Sequence, residues 1–146
     1  MGRIVGLDVG SKRIGVAVSD ELGLIARPLG VVSRRSYNKD AAAIAEIVAA
    51  EMADRLVVGL PLGLAGGSTQ QTERTRRFAE VLQARVPVPV DLWDERLTTV
   101  IAQRMGPPDR ESRRAGRLDT VAAAVMLQSY LDSRRTPSAG PPSSPL

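Results

Sequence analysis

Three apolar, β-branched runs crowd into the first 33 residues, at Arg3–Val9, Ile14–Ser19 and Leu29–Ser33, with no interval between them long enough for a helix. Strands this close in sequence pair with their neighbours as an antiparallel meander. The pattern then changes. Lys39–Ala53 carries Ile44, Ile47, Val48 and Met52 at helical spacing, with Asn38 as a candidate N-cap, and Arg55–Leu60 is a short apolar strand stopped by Pro61. A glycine-rich loop, Gly63–Gly67, leads to a helix from Ser68 or Thr69 that carries Phe78, Val81 and Leu82 inward. A fifth strand, Pro87–Trp93, is followed by a short helix over Leu97–Met105 and a final helix over Leu118–Arg134. Strands alternating with helices demand parallel crossovers. The order predicts an α/β fold: a mixed five-stranded sheet with helices on both faces.

With 146 residues, 43% hydrophobic, the chain can bury a core, and a net charge of +4 is too small to keep it unfolded. One domain is expected over residues 1–135, with a Pro/Ser-rich tail, 136–146, expected to be disordered. Gly106–Gly116, rich in Pro and charge, reads as a moving loop. Asp8 breaks any signal-peptide core, and Leu56–Thr72 is too short and too broken by Pro61 and glycines to span a bilayer. A soluble cytoplasmic protein with no membrane partner is expected.

Two absences narrow the chemistry. Without cysteine there is no thiolate nucleophile, disulfide or zinc finger; without histidine there is no Ser–His–Asp triad and no imidazole base. Acid–base or metal work falls to carboxylates, whose oxygens suit Mg²⁺ and Mn²⁺. Four aromatic residues leave little for stacking on bases. Of 20 basic residues only Lys12 and Lys39 are lysines, leaving 18 arginines, whose forked guanidinium groups suit phosphate. Codon bias accounts for that excess equally well.

Three acids stand out. Asp8 interrupts an apolar strand, where a carboxylate needs a partner, a hydrogen bond or a cation, although Gly10-Ser11 also offers it an ordinary turn role. Asp94 and Glu95 close the fifth strand, at the sheet edge where α/β folds place their sites, and alternation lets only one of the two face Asp8. Asp119 begins the last helix, where the dipole alone would favour it. Two carboxylates about 4 Å apart repel by roughly 4 kcal/mol at an effective dielectric of 20. That holds a proton at neutral pH or calls for a divalent ion.

Asp8-Val9-Gly10-Ser11-Lys12-Arg13-Ile14-Gly15-Val16-Ala17-Val18-Ser19-Asp20 closely resembles the opening motif of the YqgF/RuvX family. Val57-Val58-Gly59-Leu60-Pro61, Asp94-Glu95-Arg96-Leu97-Thr98-Thr99 and Leu118-Asp119-Thr120-Val121-Ala122-Ala123 follow in the family's order, and the resemblance spans about residues 3–132. Leu64-Ala65-Gly66-Gly67-Ser68 departs from the family pattern. The family has a ribonuclease H-like fold and is described both as Holliday junction resolvases and as pre-16S rRNA nucleases. The resemblance implies a metal-dependent nuclease acting on structured RNA, branched DNA or both. Its acidic triad maps onto Asp8, Glu95 and Asp119, as catalytic residues and as ligands of two Mg²⁺ or Mn²⁺ ions, with Glu95 rather than Asp94 taken from the motif. Lys12, Arg13 and Arg96 flank the acids, and Arg110, Arg113, Arg114 and Arg117 precede Asp119; on this reading they hold the phosphate backbone, and on the plainer one they are solvated charge. A junction resolvase needs two symmetric sites, hence a homodimer. Two other functions fit the same residues: a non-catalytic RNA-binding factor for ribosome maturation, and an ATPase-like nucleotide-binding domain. The second is weakened by the lack of a Gly-x-x-x-x-Gly-Lys-Ser/Thr loop.

Overall fold

The computed structural model describes residues 2–63, 66–98 and 117–135. In chain order the elements are β1 (Arg3–Val9), β2 (Arg13–Ser19), β3 (Ala26–Ser33), α1 (Tyr37–Ala50), β4 (Ala53–Leu60), α2 (Gln70–Arg85), β5 (Val90–Asp94), a 3₁₀ turn (Glu95–Thr98) and α3 (Arg117–Arg135). The sheet order is β3-β2-β1-β4-β5. The first three strands pair antiparallel, while β1, β4 and β5 run parallel. This is the mixed sheet expected from the element order.

Strict alternation divides the sheet's two faces. Val5, Leu7 and Val9 of β1, with Ile14, Val16 and Val18 of β2 and Leu56 and Val58 of β4, pack on one side against Ala41, Ile44 and Val48 of α1 and Phe78 and Leu82 of α2. On the other side Ile4, Ala17 and Val57 meet Ala123, Met126, Leu127, Tyr130 and Leu131 of α3. Helices therefore cover both faces, and a strand such as β1 must be apolar nearly throughout. The few aromatics anchor each layer: Tyr37 against Phe78 with centroids 5.9 Å apart, and Trp93 edge-on to Tyr130 at 5.5 Å.

Local chemistry moves several boundaries from their expected places. The first helix starts two residues before Lys39, because the Ser36 side chain, not that of Asn38, accepts from the Lys39 amide. It ends at Ala50, where Met52 turns the chain with φ +52°, and β4 starts at Ala53. The third strand begins at Ala26 and includes Pro28, tolerated because β3 is an edge and the ladder shifts register beside it. Thr69 and Thr72 cap α2 reciprocally, and the Thr72 hydroxyl also donates to the Pro61 carbonyl, tying the helix start to the end of β4. The fifth strand is shorter than expected, Val90–Asp94. Residues 95–98 form a 3₁₀ turn where a helix from Leu97 was expected; the rest of that segment, the 106–116 loop and the 136–146 tail lie outside the described residues. Among the described residues no helix is long and apolar enough to cross a membrane.

Candidate active site

The carboxyl ends of β1, β4 and β5 lie side by side, and three glycines decide what can gather there. On β1, Ile4, Gly6 and Asp8 share the α3 face. A Cβ on Gly6 would press to 3.0 Å from Leu127, and one on Gly15, the register partner of Asp8, would overlap the Asp119 carbonyl oxygen. Bare backbone at these two points lets the first turn of α3 settle directly beside Asp8. On β4, Gly59 leaves room for the Glu95 side chain, whose Cγ lies 3.0 Å from where a Cβ would stand. Gly15 and Gly59 each seat one of the acids, and Gly6 seats Leu127 of the same helix as Asp119. Glycines inside strand patterns are the sequence signal for such close approach.

Asp8 and Glu95 meet in this recess as a hydrogen-bonded carboxyl pair. Burial pushes Glu95 up to about 8, with the bond to Asp8, the Asp8 charge and the Asp94 charge adding to it. Asp8 is also raised, by burial first and by the negative charge of Asp119 besides, against the bond from Glu95. Both shifts favour one proton kept on the pair, in the bond between the Glu95 and Asp8 carboxyls. Asp94 faces elsewhere: it accepts from the Arg96 amide at 2.9 Å and from the Arg96 guanidinium at 2.6 Å, and that guanidinium holds it below its ordinary value. Only one of the two adjacent acids faces Asp8, and it is Glu95.

The third acid is near but differently engaged. Arg13 Nε donates to an Asp119 carboxylate oxygen at 2.7 Å, joining the β2 start to the α3 start across 106 residues of sequence. Among the described residues no three acids are already arranged around a common ion. The expected trio is a joined pair with its third member turned toward an arginine. The donor set nonetheless fits a divalent cation. Its oxygens are hard ligands, and the pair retains a proton only because two half-buried carboxylates cannot both stay charged unaided.

The basic residues divide the same way. Lys12 and Arg13 are exposed at the turn after β1, and Arg96 is exposed beside the glycine-rich loop, its guanidinium 3.1 Å from where a Cβ on Gly66 would stand. Gly66 has φ +85°, so that loop needs glycine there. Arg117 opens α3, whereas Arg110, Arg113 and Arg114 lie outside the described residues.

Known proteins resemble this chain in sequence and in fold. The model of the RuvX family, described as Holliday junction resolvase, matches residues 2–133. A protein of Syntrophus aciditrophicus named "Putative pre-16S rRNA nuclease" is 47% identical over 135 residues, covering 90% of this chain and 89% of the relative. One of the same name from Moorella thermoacetica is 49% identical over 132 residues, covering 89% and 94%. Among solved structures, Thermus thermophilus RuvC in complex with a Holliday junction superposes with a TM-score of 0.60 at 15% identity, covering 92% of this chain and 96% of that one. The fowlpox virus resolvase with Holliday junction DNA gives 0.53 at 13% identity, covering 90% and 98%. At such identities these two establish the fold, a ribonuclease H-like one, and the sequence relatives establish kinship: the chain belongs to the RuvX family.

Proposed function

We propose that this protein is a divalent-metal-dependent nuclease that hydrolyses phosphodiester bonds in structured nucleic acid, with Asp8, Glu95 and Asp119 as its catalytic and metal-holding residues. The observation that carries this reading is the gathering of Asp8, Glu95 and Asp119 at one edge of the sheet, with Gly15 against Asp119 and Gly59 against Glu95 and the Asp8 and Glu95 carboxyls in contact. Buried like charges without a structural partner mark a site prepared for a cation.

Asp8, on a central strand, would hold the metal together with Glu95 and Asp119. When bound, Mg²⁺ or Mn²⁺, two ions on the family pattern, would supply positive charge at the scissile phosphate and ease deprotonation of water there. The chain's own contribution is placement. Gly15 and Gly59 seat the acids close together, Glu95 and Asp8 would hold a cation as carboxylates, and Arg13, now bonded to Asp119, is placed to bind phosphate oxygens. Lys12 and Arg96 hold the backbone on either side, and Arg110, Arg113, Arg114 and Arg117 extend that grip ahead of Asp119.

The curated relatives' name favours precursor 16S rRNA as the substrate, and on this reading the task is processing of its 5′ end in the cytoplasm. The family description favours a second reading, resolution of four-way DNA junctions by a homodimer. Side-by-side cleavage of a precursor rRNA and a four-way junction, with Mn²⁺, Mg²⁺ or chelator, tests both. Metal-dependent cleavage of the RNA in preference to the junction supports the first reading, and the reverse, with a dimer in solution, supports the second. Binding without cleavage in any metal contradicts the enzyme and leaves an RNA-binding factor.

A further inference from the structure

Beyond the arginines that flank the acids, a second cationic surface reaches the same sheet edge from the opposite layer. The N-terminal half of α2 leaves the end of β4 and lies beside the end of β1. There Val9, Gly10, Ser11, Arg34, Gln71, Arg74 and Thr75 line a cavity of about 160 Å³, large enough for a phosphate group. Arg74 also lines an open groove of about 440 Å³ with Arg77, one helical turn on, and with Ser68, Thr69, Gln70 and Glu73. The cavity and the groove share Arg74 as a common wall, and the cavity lining begins at Val9, the residue after Asp8.

Of the charges along this surface, only those of Arg74 and Arg77 are not used internally among the described residues. Arg34 is committed, donating to Asp40 at 3.1 Å and to the Gly10 carbonyl at 2.7 Å, so it shapes the cavity wall. Glu73, the one acid in the groove, pairs with Arg76 at 3.8 Å. Among the described residues Arg74 and Arg77 have no ion-pair partner, and both are exposed. Two unpaired guanidinium groups three residues apart, with Ser11 in the cavity lining, match the donors that grip consecutive backbone phosphates, while the Gln71 amide already donates to the Val9 carbonyl at 3.5 Å.

We infer that Arg74 and Arg77 bind the phosphate backbone of the substrate where it leaves the catalytic edge on the α2 side, with one phosphate seated against Arg74 and Ser11 and the next against Arg77. This rests on the nuclease reading, since it takes nucleic acid as the ligand. It adds residues on the sheet layer opposite the acids, so the substrate crosses the edge and is held on both sides of it. These contacts carry no base information and should act alike on any sequence.

The test is equilibrium binding of two labelled probes, a precursor rRNA fragment and a four-way DNA junction, in chelator from 50 to 300 mM salt. Wild type is compared with Arg74→Gln/Arg77→Gln, the charge-keeping Arg74→Lys/Arg77→Lys, and Arg85→Gln at the far end of α2. Melting curves confirm that each variant is folded. Loss of two phosphate contacts lowers the logarithmic salt slope on duplex DNA by about 1.8 and weakens binding at 0.1 M salt by roughly tenfold or more. The lysine pair should keep most of the wild-type slope, and Arg85→Gln all of it. A folded glutamine pair with wild-type slope and affinity overturns the inference while leaving the nuclease reading intact. So does an equal drop in Arg85→Gln, which would make the effect one of overall charge. A wild type that binds neither probe removes the nuclease reading and this inference with it.

Discussion

The carbonyl oxygen of Asp119 sits where a side chain on Gly15 would begin, and Gly15 is the cross-strand partner of Asp8. One missing Cβ thus fixes the distance between the first turn of α3 and the strand that carries the central acid. Gly15→Ala should push α3 outward, costing about 1–3 kcal/mol of stability as an overpacked contact. Nuclease activity should fall far more than the lost stability explains, because Asp119 moves with the helix. Thermal unfolding and metal-dependent cleavage measured on the same variant check this.

The raised Glu95 carboxyl, bonded to Asp8, makes the metal-free protein sensitive to pH. Its folded value of about 8 stands above the ordinary 4.5, so between those limits the folded state binds a proton that the unfolded chain has released. The stabilising contribution is complete below about pH 4.5 and is lost as pH rises through about 8. Metal-free wild type should therefore melt at falling temperature from pH 6 to pH 9. Glu95→Gln should flatten that dependence, and Mn²⁺ should restore wild-type stability most at the high end.

On the proposed reading, a cation bound by Asp119 would have to displace its ion pair with Arg13. Both partners are partly exposed, so Arg13→Gln should change stability by less than about 1 kcal/mol. It should instead lower the Mn²⁺ concentration that half-saturates the thermal shift, while weakening nucleic-acid binding. Unchanged metal dependence would show that Asp119 is not being held in reserve.

Away from the site, Met52 occupies the left-handed region at φ +52° and is 78% exposed, so it accepts backbone strain and gains little from burial. Met52→Gly should raise stability by about 1 kcal/mol, read as an increase in melting temperature with activity unchanged.

How much of this was legible in the sequence follows from range. Strand order and the two helical layers are written in local hydrophobic periodicity, and Asp8 announces itself by breaking an apolar run. Choosing between Asp94 and Glu95 took the family motif, since it depends on which acid the Arg96 amide and guanidinium capture, a contact made only once the 3₁₀ turn has formed. The start of α1 was missed because Ser36 and Asn38 are both competent caps and only the folded backbone selects one. The Arg13–Asp119 pair spans 106 residues and left no local signal. Arg74 and Arg77 carry no signal in the sequence, because an exposed arginine on a helix is ordinary until the end of β1 is brought to its side.

The most direct measurement is cleavage of precursor rRNA and of a four-way junction by wild type and Asp8→Asn, in Mn²⁺, Mg²⁺ or chelator, with binding followed in parallel. Wild type should cut only with metal, and Asp8→Asn should bind as tightly yet leave the strands intact. Equal cutting by both proteins would place the chemistry elsewhere and contradict a site centred on Asp8.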